Sequence, residues 1–265
     1  MVFIKFSRLN FLFNCILIFS CFNLIAQDRI TGNLFASRSE TIAKNGMVAT
    51  SHPLASQVGV EILKSGGNAI DAAIASNAAL GLMEPTGNGI GGDLFALVWI
   101  EKDKKLYGLN ASGRSPKNLT FNYLKENGFK KIPSYGALSI SVPGCVDGWF
   151  ELHEKFGKIK MEKILNPAIE YAKNGFPVTE LVAYYINLSS RFYSSYPNFK
   201  ETYLINGKSP KKGEIFKNPY LAKTLSIISK KGRKGFYEGE IAEKISDFII
   251  SQGGFVSYDD LKNHK

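Results

Sequence analysis

GMVATSHPLASQVGVEILKSGGNAIDAA, residues 46–73, sets an apolar run, a proline-led helix start and a paired-glycine stop in immediate succession. Residues 46–50 are apolar enough for a short buried strand. Ser51 then offers a cap, with His52 directly before Pro53. Proline suits the first helical position because the N–H it lacks would have no intrahelical partner there. Leu54, Val58 and Ile62, with Val60 and Leu63 beside them, recur at helical spacing. Gly66 and Gly67 supply the left-handed residues that close such a helix. Asn68 can cap the next one, whose alanine-rich run 69–75 has little side-chain bulk and so admits close approach by a sheet or helix. Pro85 ends it.

Downstream, the runs 94–100 and 106–109 flank the charged stretch 101–105 and predict a β-hairpin. From Pro143 onward the pattern is mainly helical, over 146–156, 161–173, 178–192, 218–231 and 240–252, each with a glycine or proline near its end. The expected architecture is α/β (α+β): one mixed domain over 46–265, with 143–265 as its mainly helical extension. No internal repeat or low-complexity linker divides it, and residues 27–45 form a polar lead-in without periodicity. Ser257 to Asp260 resembles a capping box, yet only about one further turn follows, so the chain is expected to stop on an element just begun. A short helix fraying at a natural C-terminus is the alternative.

The formal charge of +10 raises the question of nucleic acid, but the basic residues fall in separate turn-like clusters at 102–105, 130–131, 208–212 and 230–234. Such scattering predicts solvated surface and no nucleic-acid partner. Lys5 and Arg8 precede an apolar run over 11–26 that is short for a membrane span, the pattern of a secretory signal peptide over residues 1–26. Cleavage after Ala26 is expected; a lipoprotein site at Cys21 and an uncleaved membrane anchor are the alternatives. Export, to a periplasmic or extracellular location, leaves Cys145 without a disulfide partner in the mature chain. His52, His153 and His264 stand far apart, and no Cys/His spacing resembles a metal site, so neither metal nor cofactor is expected.

Gly87, Gly89 and Gly92 match G-x-G-x-x-G only formally. They follow a helix and enter a strand, the reverse of a dinucleotide fingerprint, so a tight turn with close backbone approach is the better account. Thr50, Ser51 and His52 could pair a hydroxyl nucleophile with a base, but Ser51 is expected to cap a helix and adjacent residues on such a turn point apart. Asp93 could serve as a site carboxylate or, equally, bind loop amides at a strand entry. Arg114, just past the hairpin, is the candidate binding residue: its guanidinium could clamp a substrate carboxylate bidentately, the alternative being a surface arginine in a turn.

Residues 46–57, 59–73, 84–92, 141–144 with Gly148, Pro167-Ala168 with Gly175-Phe176, 235–239, Gly253-Gly254 and Asp260-Leu261 together resemble, in order, the gamma-glutamyltransferase (glutathione hydrolase) family. The resemblance covers essentially the whole mature chain. It implies an N-terminal-nucleophile hydrolase with an αββα four-layer sandwich, here incomplete, residues 46–142 giving sandwich layers. It also implies a precursor that cuts itself so that a threonine becomes the new N-terminus and attacks with its own amine as base. That threonine and the oxyanion donors are expected downstream of Lys265, so the chain contains no catalytic residue and should be silent alone. In the family the carboxylate-binding arginine commonly stands four residues before a proline. Ser112 occupies that place and Arg114 stands two before Pro116. If the segment is extended, the shift keeps the face and displaces the side chain by about 6 to 7 Å.

The resemblance thus implies a gamma-glutamyl substrate such as glutathione, with other gamma-glutamyl or glutaryl-like amides open, and a C-terminal catalytic segment or subunit as partner. The competing expectation is an inactive secreted remnant that binds small carboxylates through Arg114.

Overall fold

A computed structural model of the chain describes residues 40–265. The expected signal peptide and most of the lead-in lie outside them. Ala43–Lys265 forms one unit. Its elements run α1 (Pro53–Lys64), α2 (Ala69–Met83), β1 (Leu94–Ile100), β2 (Lys105–Ala111), α3 (Phe121–Glu126), α4 (Cys145–Phe156), α5 (Met161–Asn174) and β3 (Phe176–Pro177). They continue with α6 (Glu180–Tyr193), α7 (Phe199–Tyr203), β4 (Ile215–Phe216), α8 (Pro219–Lys231), α9 (Lys234–Tyr237), α10 (Glu240–Ser251) and α11 (Tyr258–Lys262). Among the described residues the fold is mixed α/β weighted to helix, with two separate two-stranded antiparallel sheets, β1–β2 and β3–β4.

Three local expectations are corrected. Residues 46–50 form no strand: the described residues offer them no ladder partner, and Val48 instead lies over Gly59 on α1, where a methyl group would meet it. The cap of α1 is His52, whose Nδ1 accepts from the Leu54 N–H at 3.3 Å, while Ser51 turns away to donate to the Glu84 carboxylate. Of the paired glycines only Gly66 is left-handed, at φ 94°.

Small residues let α1 and α2 pack closely. Ser76 on α2 donates to the Ala55 carbonyl at 3.0 Å, and an added Cβ at Gly59 would sit 2.5 Å from the Ser76 hydroxyl. Ala72, Ala75, Ala78 and Ala79 are buried along α2, which also packs on α4 and α5, while α5 packs on α8. The helix starts in a complete capping box. The Asn68 side chain accepts from Ile70 and Asp71, and Asp71 Oδ2 accepts from the Asn68 N–H at 2.9 Å. The same buried carboxylate accepts from the Lys158 N–H at 3.1 Å, and Asn68 Nδ2 donates to the Phe156 carbonyl. One box therefore also pins the end of α4. Asp71→Ala strands two backbone donors, so it is expected to lower the unfolding free energy by about 3 kcal/mol, with Asp71→Asn intermediate, in denaturant titrations.

The hairpin has unlike faces. Leu94, Ala96, Val98 and Ile100 turn toward the helices, and Gly148 of α4 comes so close that an added Cβ would meet Ala111 Cβ at 2.8 Å. On the opposite face Phe95, Leu97, Trp99 and Leu106 are 67%, 78%, 54% and 57% exposed. Period-two alternation makes this a continuous apolar surface on a sheet with helices behind it.

Candidate functional site

Two backbone segments cross where β2 ends. Strand pairing stops at Ala111, and the next residues are held one by one. The Ser112 N–H donates to Asn110 Oδ1 at 3.0 Å, the Gly113 N–H to Asp93 Oδ1 at 2.8 Å, and the Arg114 carbonyl accepts from the Val142 N–H at 3.0 Å. An added Cβ at Gly113 would lie 1.6 Å from the Val142 carbonyl oxygen, and one at Gly144 would lie 2.2 Å from that of Ala111. Only glycine fits at either point, because the crossing chain occupies the space of a side chain. Arg114 thus projects, exposed, from an anchored stretch of backbone, and makes no ion pair among the described residues.

The second segment leads into α4, whose first residues need outside partners for their N–H groups. The Gly92 carbonyl accepts from Gly144 at 3.0 Å and from Cys145 at 2.9 Å. The N-cap, Gly144, has no side chain, and the Asp147 N–H donates to the Tyr237 hydroxyl at 3.1 Å. That hydroxyl donates in turn to the Pro143 carbonyl at 2.6 Å. Around it lies a partly buried polar group: Arg233 donates to the Asp147 carboxylate and to the His264 carbonyl, its guanidinium sits 4.6 Å over the Tyr237 ring, and His264 stacks on that ring at 5.4 Å. Burial holds the Tyr237 phenol well above its ordinary pKa, so it stays a donor. Burial also lowers the His264 imidazole, with Asp147 opposing and Arg233 and Arg114 reinforcing. His264 is therefore neutral near pH 7 and stands within electrostatic reach of Arg114.

The residues singled out in the sequence fall into two groups. Gly92, Asp93 and Arg114 meet at the crossing, where Asp93 binds a loop amide. The glycine turn makes its close approach through the Gly92 carbonyl and at Gly89, which lies 3.4 Å from the position of a Cβ on Gly81. Thr50, Ser51 and His52 form no nucleophile–base pair: the Thr50 hydroxyl donates to the His52 backbone carbonyl at 2.7 Å, Ser51 serves Glu84, and the His52 ring caps α1. No hydroxyl there has the imidazole as a base. Burial raises the Cys145 thiol to about 12, so it is not a thiolate nucleophile at neutral pH. The described residues hold no cluster of three or more His, Cys, Asp or Glu suited to a metal. Sequence reasoning passed over Gly113, Asp147, Arg233 and Tyr237. Tyr237 stands within the quoted motif 235–239, but nothing local marks the partners it meets about 90 residues away.

The family described as gamma-glutamyltranspeptidase matches residues 55–265. A glutathione hydrolase-like YwrD proenzyme of Bacillus subtilis is 39% identical over 225 residues, 84% of this chain and 42% of that protein. Glutathione hydrolase 3 of Arabidopsis thaliana is 33% identical over 223 residues, again 84% of this chain but 35% of its own length. Among solved structures, a cephalosporin acylase of Bacillus halodurans superposes with a TM-score of 0.84 at 40% identity, over 90% of this chain and 46% of that one. The Helicobacter pylori gamma-glutamyltranspeptidase does so with a TM-score of 0.81 at 32% identity, over 86% and 66%. The chain spans about two fifths of the length of the two relatives named first. It belongs to the gamma-glutamyltranspeptidase family, of whose longer members it represents the N-terminal portion.

Proposed function

We propose that this chain is the N-terminal portion of an exported precursor that hydrolyses or transfers gamma-glutamyl-type amides. The observation that carries the proposal is the hairpin: α4 packs on one face, and Phe95, Leu97, Trp99 and Leu106 lie open on the other. A sheet with one bare apolar face is half of a layered structure, and the sandwich of an N-terminal-nucleophile hydrolase supplies the covering layer. In this reading the segment after Lys265 brings the second sheet and the threonine. The threonine hydroxyl attacks the amide carbonyl while its own α-amine takes the proton, the amine product leaves, and water or an amine acceptor releases the acyl group. Arg114 binds the carboxylate at the far end of the acyl chain, at a place preset by the crossing. Glutathione is the reference substrate. Glutaryl-like amides are second, because Arg114 stands two residues from the family's usual position and a cephalosporin acylase is among the similar structures. The run of apolar residues after Lys5 and Arg8 supports export.

The test is direct. Purified residues 27–265 should release no nitroaniline from gamma-glutamyl-p-nitroanilide, whereas the same chain extended through a threonine-led C-terminal segment should. Turnover by the shorter protein would overturn the reading.

A further inference from the structure

We infer that Tyr237 is a positioning residue for Arg114, acting through the turn at residues 141–144; for its kinetic consequence the inference rests on the function proposed above. The phenol caps α4 from outside the helix. It accepts the Asp147 N–H that the side-chain-less Gly144 cannot serve, and donates to the carbonyl of Pro143. One oxygen thereby fixes both sides of Gly144. The turn has little other freedom: Pro143 has a set φ, and the Gly144 and Cys145 amides are committed to Gly92. Within the same turn, the Val142 N–H holds the Arg114 carbonyl at 3.0 Å, and the Val142 carbonyl fills the space left by Gly113. Displacement of Pro143 is therefore passed to Arg114 within two residues. Arg233 and Asp147 hold the hub from the other side, with the guanidinium over the Tyr237 ring. The ring is fully buried against Phe236 and His264, so its packing survives loss of the oxygen alone.

Tyr237→Phe isolates that oxygen. In the chain itself, amide exchange followed by NMR should quicken about tenfold or more at Val142 and Asp147, while amides of Pro219–Lys231 keep their protection. In the complete enzyme, KM for gamma-glutamyl-p-nitroanilide should rise on the order of tenfold with kcat changed less than about twofold. Adding Tyr237→Phe to Arg114→Ala should raise KM no further, because the two act on one contact. Unchanged exchange at Val142 overturns the inference, as does a variant that cannot fold, which would make Tyr237 a folding residue only. A complete wild-type protein inactive on every gamma-glutamyl amide would sink the proposed function instead, and would leave the exchange result to decide the coupling.

Discussion

Gly113→Ala is expected to be the most damaging single-methyl substitution in the described fold, lowering the unfolding free energy by about 3 kcal/mol or more. The new Cβ would lie 1.6 Å from the Val142 oxygen, 2.7 Å from its carbonyl carbon and 2.9 Å from the Ser141 hydroxyl. Ordinary carbon–oxygen contact needs about twice the first of these distances, so the chains must part. Neither can do so cheaply. Val142 is held by Arg114 on one side, and on the other by Pro143, whose carbonyl is bound to Tyr237; Gly113 is held by Asp93. Parting them breaks two or three of these bonds in partly buried surroundings. For a chain of this size the expected fall in Tm is about 6 to 12 °C. Gly87→Ala is the control: nothing lies within 4 Å of its added methyl, so its stability should stay within about 0.5 kcal/mol of the parent. Equal melting of the two variants would show that the crossing is looser than its geometry.

Much of the scaffold was legible because its signals are local. Pro53, Asn68 and Ser257 each announce a helix start within four residues, and the charged stretch 101–105 lies between two runs of strand-forming residues. The strand expected at 46–50 failed for the matching reason. An apolar run becomes a strand only when another strand pairs with it, and Val48 found a helix groove at Gly59 instead. The site was legible only in part. Arg114 stands out as a lone charge beyond a hairpin, and Asp93 as a carboxylate at a strand entry. What fixes them is long-range: Asp147 and Arg233 are 86 residues apart, and Pro143 and Tyr237 are 94. Periodicity carries no information about such pairs. Gly113 was silent for another reason, since a glycine demanded by a crossing backbone looks in sequence like any loop glycine.

Arg114→Ala, made in the complete enzyme, is expected to raise KM for gamma-glutamyl-p-nitroanilide on the order of 10²-fold while kcat falls little. A guanidinium on a carboxylate is a charge-assisted, commonly bidentate bond, contributing about 1.5 to 3 kcal/mol, and in the proposed function it would grip a part of the substrate remote from the scissile amide. The grip is the same in ground and transition states, so its loss appears in KM. The anchored backbone makes the effect large. With Ser112, Gly113 and the Arg114 carbonyl already fixed, the side chain gives up only its own rotamers on binding, and no ion pair among the described residues has to break first. Arg114→Lys should recover part of the loss, since a point charge replaces the planar fork. An anilide whose acyl chain ends in a methyl group should be a poor substrate for both proteins and should not distinguish them. Comparing gamma-glutamyl with glutaryl anilides in the parent then separates the substrate classes: in its proposed role Arg114 would serve a terminal carboxylate in either, so a large difference must come from groups that recognise the α-amine. An unaltered KM for Arg114→Ala would remove this residue from the acyl pocket and return it to the protein surface.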